Sequence, residues 1–152
     1  MTITVRAARP EDRAAGGRMV GEFMDYLDAI APFVRADGLI DSLLDLSFGP
    51  DPVCATLIAE RDGVSLGYLA YHLGVWESFR SLHVISLFVR AEARGSGAGR
   101  ALMDAAKEIA RRRRATRVVW EVWNKNPDAI DFYRSIGGEV YDDNLRMSLV
   151  VD

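Results

Sequence analysis

Apolar residues fall along this chain in runs whose period changes, and each change marks an element. Ile3 to Ala7 reads as a short strand, and Pro10-Glu11-Asp12 as the start of a helix running towards Ile30. Leu39, Ile40, Leu43 and Leu44 form an apolar stripe on a second helix over Asp37–Leu46. Phe48-Gly49-Pro50-Asp51-Pro52 interrupts the pattern. Val53–Glu60 and Val64–Leu73 read as strands around Arg61-Asp62-Gly63, whose Asp-Gly signals a hairpin. Leu82–Val89 is apolar at nearly every position, as in a strand buried on both faces. Helical spacing returns at Leu102, Ala105, Ala106 and Ile109, and a further strand follows over Arg117–Trp123. The next helix opens at Asn126-Pro127-Asp128 and stops at Gly137-Gly138, before a last pair of strands around Val140 and Leu145–Val151. Hairpins followed by strand–helix–strand–helix–strand predict an α/β fold with a mixed sheet and helices on both faces.

The segment between the Leu82–Val89 strand and its helix carries the first chemistry. Arg94-Gly95-Ser96-Gly97-Ala98-Gly99-Arg100 has three glycines at alternate positions. Glycine allows backbone amides to approach a ligand, and a helix start offers unpaired N–H groups and partial positive charge. The turn therefore suits an anion, phosphate above all, with Arg94 and Arg100 beside it. A tight connection without a ligand is the alternative. The dinucleotide fingerprint and the nucleotide P-loop both require glycine where Arg100 stands. On the second helix, Asn126, Ala129, Ile130 and Tyr133 share one face, polar at each end and apolar between.

Arg94, Gly97 and Gly99 spell Arg-x-x-Gly-x-Gly, which resembles the acyl-coenzyme-A-binding motif of the GCN5-related N-acetyltransferases (GNAT). Asn126-x-x-Ala129-x-x-Phe132-Tyr133 with the glycine pair is similar to the second hallmark of that family, at the expected distance downstream. The N-terminal Val5–Asp12 looks like the family's opening strand and helix start, so the resemblance covers essentially the whole chain as one N-acetyltransferase domain, residues 1–152. It implies a mostly antiparallel mixed sheet whose central strands splay apart. It also implies acetyl-coenzyme A as co-substrate, without a metal. The pantetheine arm would pair with the backbone of Leu87, Phe88 and Val89. The pyrophosphate would rest on Arg94, Gly95, Ser96, Gly97, Ala98, Gly99 and Arg100. Asn126 would hydrogen-bond the arm, and Tyr133 would stand beside the sulfur.

The implied activity is transfer of an acetyl group to a primary amine of a small molecule, peptide or protein, by direct attack on the thioester. A non-catalytic acyl-coenzyme-A-binding regulatory domain is the alternative; a nucleotide-binding module on the same loop is a third. Glu121 interrupts an apolar strand and is a candidate base for the amine proton, or else a structural carboxylate paired with Arg117 or Arg146. His83, at the start of the motif strand, is a second candidate base, or else a hydrogen-bonded histidine at the sheet edge. Relatives that acetylate polyamines often carry acids where this chain has Ile85 and Ser86, which argues against a polyamine acceptor here. Gly74–Arg80 displays Trp76 and Phe79 on a loop, as a substrate lip or a dimer contact, with Glu77, Glu22, Asp25, Asp37 and Asp41 as acids that could attract a cationic amine.

The chain has 152 residues, enough for one domain with a real core. A net charge of −3 gives no general affinity for nucleic acid, and Arg111–Arg114 reads as a solvated helix end. Cys54 is the only cysteine, so no disulfide forms within the chain, and its apolar neighbours suggest a buried thiol. Without an apolar membrane span or leader pattern, a cytoplasmic protein with no membrane partner is expected, and a homodimer stays open.

Overall fold

The computed structural model describes residues 2–141 and 143–151, and the chain divides into two compact units, Met1–Glu121 and Val122–Asp152. The first contains β1 (Thr4–Ala7), a 3-10 turn at Pro10–Asp12, α1 (Arg13–Ile30), α2 (Leu39–Phe48), β2 (Ala55–Arg61), β3 (Val64–Trp76), β4 (Phe79–Val89), α3 (Ala98–Arg112) and β5 (Arg117–Trp120). The second contains α4 (Pro127–Ser135). The five strands lie in the order β1-β2-β3-β4-β5. All pairs are antiparallel except β4 with β5, giving the mixed, mostly antiparallel sheet expected.

Strand alternation sends side chains to two helical layers. Ile58, Tyr68 and Phe88 pack with Met19 and Val20 of α1 and Leu44 of α2. Their neighbours Leu57 and Leu69 turn the other way and are buried, and α3 lies against all five strands with Leu102, Met103 and Ala106 inward. The entry into α1 is pinned by charge. Arg6 donates two hydrogen bonds to Asp12, at 2.7 and 3.0 Å, and meets Glu60 at 3.0 Å, while the Arg9 amide also donates to Asp12. The guanidinium of Arg6 holds the Asp12 carboxyl below the usual carboxylate range despite its burial.

The Asp62-Gly63 hairpin forms as predicted, both residues at positive φ (52° and 76°). Three expectations need correction. Gly74–Arg80 is not an open loop: β3 runs to Trp76 and β4 starts at Phe79, leaving Glu77-Ser78 as a tight turn with Trp76 paired to Phe79. β5 ends at Trp120 rather than Trp123. Among the described residues of 139–151 none is in a strand, and Leu145, Met147, Leu149 and Val151 are exposed: alternation alone makes no strand without a ladder partner.

Candidate functional site

The local geometry of β4 is set by one extra residue. Ala70 pairs with Ser86 but Tyr71 pairs with Val84, so Ile85 is a bulge. Parallel pairing with β5 stops at the same point, at Val84↔Trp120. From Ser86 to Val89, β4 is laddered among the described strands to β3 alone, and this stretch contains Leu87, Phe88 and Val89. Phe88 is buried in the α1-side core and locks the segment in place.

A single 3-10 turn, Ala91–Ala93, joins β4 to the glycine-rich segment. The Arg94 amide donates to Ala91 O (3.3 Å) and the Ser96 amide to Ala93 O (3.2 Å), so the turn is hydrogen-bonded to itself. Gly95 and Gly97 adopt φ of +77° and +93°, and the space a Cβ would occupy at either is empty of atoms within 4 Å. Gly97 caps α3, Ala98 is fully buried beneath it, and the Ser96 hydroxyl accepts from the Ala98 amide at 3.4 Å. Gly95, Ser96, Gly97 and Arg100 are exposed, while Gly99 is half-buried in the first turn, where amides have no i−4 carbonyl in the helix. The Arg94 side chain folds back: its Nε donates to Val89 O at 3.3 Å and its guanidinium lies 4.8 Å from the Tyr26 ring centroid. It thereby ties the turn to the end of β4.

In the second unit, Asn126 is buried and its Oδ1 accepts from the Ala129 amide at 3.3 Å, the N-cap anticipated from sequence. Tyr133 stands two turns later on the same face, and burial pushes its hydroxyl up to about 12. The helix closes with Gly138 N–H on Tyr133 O (2.8 Å), Gly137 N–H on Arg134 O (3.0 Å) and Gly137 at φ +92°.

The other candidates sit differently from expectation. Glu121 is exposed just beyond the end of β5 instead of interrupting it. His83 lies inside the sheet, not at its edge, opposite His72 with ring centroids 5.0 Å apart. Glu22 is held by Arg90 through two hydrogen bonds (2.9 and 3.1 Å), Asp25 by Arg35, and Asp41 lies 3.7 Å from Arg13. Sequence could not show the Glu22–Arg90 pair, which spans 68 residues. Cys54 is half-buried rather than buried, and its thiol donates to Leu46 O at 3.3 Å. Among the described residues, no three His, Cys, Asp or Glu converge as a metal site, and no helix is long and apolar enough to cross a membrane.

Comparison with known proteins bears on this geometry. Residues 21–137 match the family model described as the acetyltransferase (GNAT) family. The peptidyl-lysine N-acetyltransferase YjaB of Escherichia coli (strain K12) is 28% identical over 142 residues, covering 92% of this chain and 84% of that protein. Among solved structures, a ribosomal-protein-alanine N-acetyltransferase from Brucella melitensis biovar Abortus 2308 superposes with a TM-score of 0.75 at 18% identity, over 98% of this chain and 100% of that one. An aminoglycoside acetyltransferase from an uncultured soil metagenomic sample gives 0.73 at 14%, over 99% and 97%. At such identities the two structures show a shared fold.

Proposed function

The chain belongs to the GNAT acetyltransferase family and is an acyltransferase, and from that premise we propose that residues 1–152 act as one domain moving an acetyl group from acetyl-coenzyme A to a primary amine of a small molecule, peptide or protein. The observation that carries the reading is the junction at the end of β4. There a strand edge released by β5 leads directly into a glycine turn with open backbone and a helix N-terminus. The empty positions at Gly95 and Gly97 fit a pyrophosphate seated on backbone amides.

In this reading Leu87, Phe88 and Val89 present the backbone that the pantetheine arm pairs with, as an added strand does. Gly95, Ser96, Gly97, Ala98, Gly99 and Arg100 hold the pyrophosphate, and Arg94 fixes the turn against Val89 while adding positive charge. Asn126 hydrogen-bonds the arm. The co-substrate supplies a thioester; a C–N bond forms to the acceptor as the C–S bond breaks and a thiolate leaves. Tyr133, whose phenol burial pushes up to about 12, donates a hydrogen bond to the developing charge on sulfur. An alkyl amine of pKa about 10.4 must first lose a proton, at a cost of roughly 4 to 5 kcal/mol at neutral pH. Glu121, exposed beyond β5, is assigned that proton through water. The E. coli relative's name, a peptidyl-lysine N-acetyltransferase, supports a primary amine as acceptor.

Replacing Tyr133 with Phe tests the assignment. Turnover should fall about 100-fold or more while the dissociation constant for acetyl-coenzyme A is unchanged by calorimetry. Full turnover in this variant would remove Tyr133 from the mechanism.

A further inference from the structure

One open cavity of the first unit is unused by the chemistry above. It occupies about 220 Å³ between α1, α2 and strands β2 to β4, on the side of the sheet away from α3. Val20 and Phe23 of α1, Leu44 and Phe48 of α2, and Ile58 of β2 supply much of the wall, and no lining residue carries a charge. Ile85, the bulge residue, and Ser86 line its β4 end, directly before Leu87–Val89.

The polar groups in the wall already have partners. Ser47 and Thr56 hydroxyls bond each other at 2.9 Å, the Cys54 thiol donates to Leu46 O, and the Tyr68 hydroxyl bonds Ser86. A polar guest would give up water for groups that ask for no hydrogen bond, whereas an alkyl or aryl guest loses nothing. Glu22, Asp25, Asp41 and Asp45 on α1 and α2 are engaged by arginines, so a polycation finds no acid cluster there. The volume exceeds the roughly 150 Å³ that holds benzene in an apolar protein cavity.

We propose that this cavity receives an apolar arm of the acceptor, an alkyl or aryl group of about six to eight carbons by volume, so that the enzyme selects amphipathic primary amines over polycations. The inference rests on the acetyltransferase reading. It assigns the arm to the acceptor because α3, whose N-terminus Gly97 caps, packs on the opposite face of the sheet, leaving the α1–α2 side for the second substrate.

The test measures kcat/KM, by thiol release with acetyl-coenzyme A, for n-propylamine through n-hexylamine and for spermidine. Each methylene should raise kcat/KM about fourfold, roughly sixtyfold across the series, with spermidine below hexylamine. Ala70→Leu, at a wall position between Thr56 and Ser86, and Ser47→Leu, at the less buried end, should each flatten the slope while propylamine turnover persists. A flat series in the wild-type enzyme overturns the proposal, as does a slope that both variants retain. A parallel series of acetyl- to hexanoyl-coenzyme A with ethanolamine separates the two substrates: a gain that follows acyl length instead of amine length places the donor's chain in the cavity and overturns the acceptor assignment. Binding of 1-hexanol, followed by NMR titration, needs no turnover. Saturable binding lost in Ala70→Leu supports the apolar pocket even if acetyl-coenzyme A fails to raise the melting temperature, which would sink the acetyltransferase reading instead. No hexanol binding to the wild type overturns the pocket itself.

Discussion

Gly67 is the position where a single methyl group should do most damage. It sits buried in β3 opposite Val89, in the rung that backs the proposed pantetheine edge. A Cβ built there meets the Phe88 carbonyl oxygen well inside van der Waals contact, and lies 3.1 Å from Val89 Cα and 3.3 Å from Val89 Cγ2. A rotamer change relieves only the last of these. Ordinary carbon–carbon contact begins near 3.5 to 4.0 Å, so the Val89 backbone must retreat by about 0.4 to 0.9 Å, and the Phe88 carbonyl by more.

Overpacking of this kind costs about 1 to 3 kcal/mol, and rigid backbone on both sides puts Gly67→Ala near the upper end. For a domain of this size that lowers Tm by roughly 4 to 12 °C. The displaced backbone is also the one on which Leu87–Val89 and the Arg94 anchor depend. Misplacement on the order of 1 Å can cost about 100-fold in rate, so kcat/KM for acetyl-coenzyme A should fall by about that factor. Differential scanning fluorimetry and steady-state kinetics read the two effects. Gly21→Ala, inside α1, is the control, because its Cβ would meet Ile40 Cδ1 of α2 at an ordinary 3.7 Å; it should be neutral or stabilising by up to about 1 kcal/mol. If Gly67→Ala melts within about 1 °C of wild type and keeps its kcat/KM, the rung is softer than the geometry requires and the reasoning fails.

Gly97→Ala meets no atoms but must hold φ at +93°, which costs about 1 to 2 kcal/mol; calorimetry should show acetyl-coenzyme A binding about tenfold weaker, and unchanged affinity would detach the cap from the ligand. Asp12→Asn removes the partner of Arg6 and should cost about 2 kcal/mol at pH 7 by urea unfolding. The Asp12 carboxyl is depressed in the fold, so its contribution is complete above the ordinary value of about 4 and disappears as pH falls below it. Wild type and Asp12→Asn should therefore converge in acid, and a constant gap would contradict the pair. Because burial holds Tyr133 up at about 12, its hydroxyl stays protonated through the working range. An alkaline limb of kcat near pH 10 that disappears in Tyr133→Phe would contradict that environment.

Local chemistry was legible in the chain and distant pairing was not. The cap at Asn126, the glycine-rich turn ahead of α3, the Asp62-Gly63 turn and the glycine stop after Tyr133 each depend on neighbours a few residues away, and each forms as the residues dictate. The β3–β4 hairpin was missed because Glu77-Ser78 lacks the asparagine or glycine that usually marks a two-residue turn; Glu77 takes φ +50° regardless, held by the Trp76↔Phe79 pair and by Arg117 stacked 5.0 Å from the Phe79 ring. Glu22 read as an acid awaiting a cation, yet its cation was Arg90, on the far side of a sheet crossing that only the fold brings close. Glu121 read as a carboxylate interrupting an apolar strand between Val119 and Trp123, but β5 ends one residue earlier.

That early end has a consequence for how the site is made. β4 has eleven residues and β5 four, so β5 pairs along only part of that edge of β4, and among the described strands of the first unit no other covers the rest. The bulge at Ile85 falls on the residue after the last β4–β5 pair, and bulges bend a strand and increase its twist. Bare strand edges invite unwanted pairing, and proteins tolerate them when they are short or capped. Here the stretch is five residues, Ile85 to Val89, and the Arg94 side chain already occupies the carbonyl at its end. An arm that carries its own amides would complete that edge more fully than another side chain could, and the same bulge turns Ile85 into the wall of the apolar cavity. In the proposed reading, one inserted residue thus sets both the donor's edge and the acceptor's pocket. Restoring regular pairing by deleting Ile85 should therefore impair acetyl-coenzyme A binding and alkylamine selectivity together, measured on a variant that still shows the β-sheet signature by circular dichroism; loss of one without the other would show that the two sites are built independently.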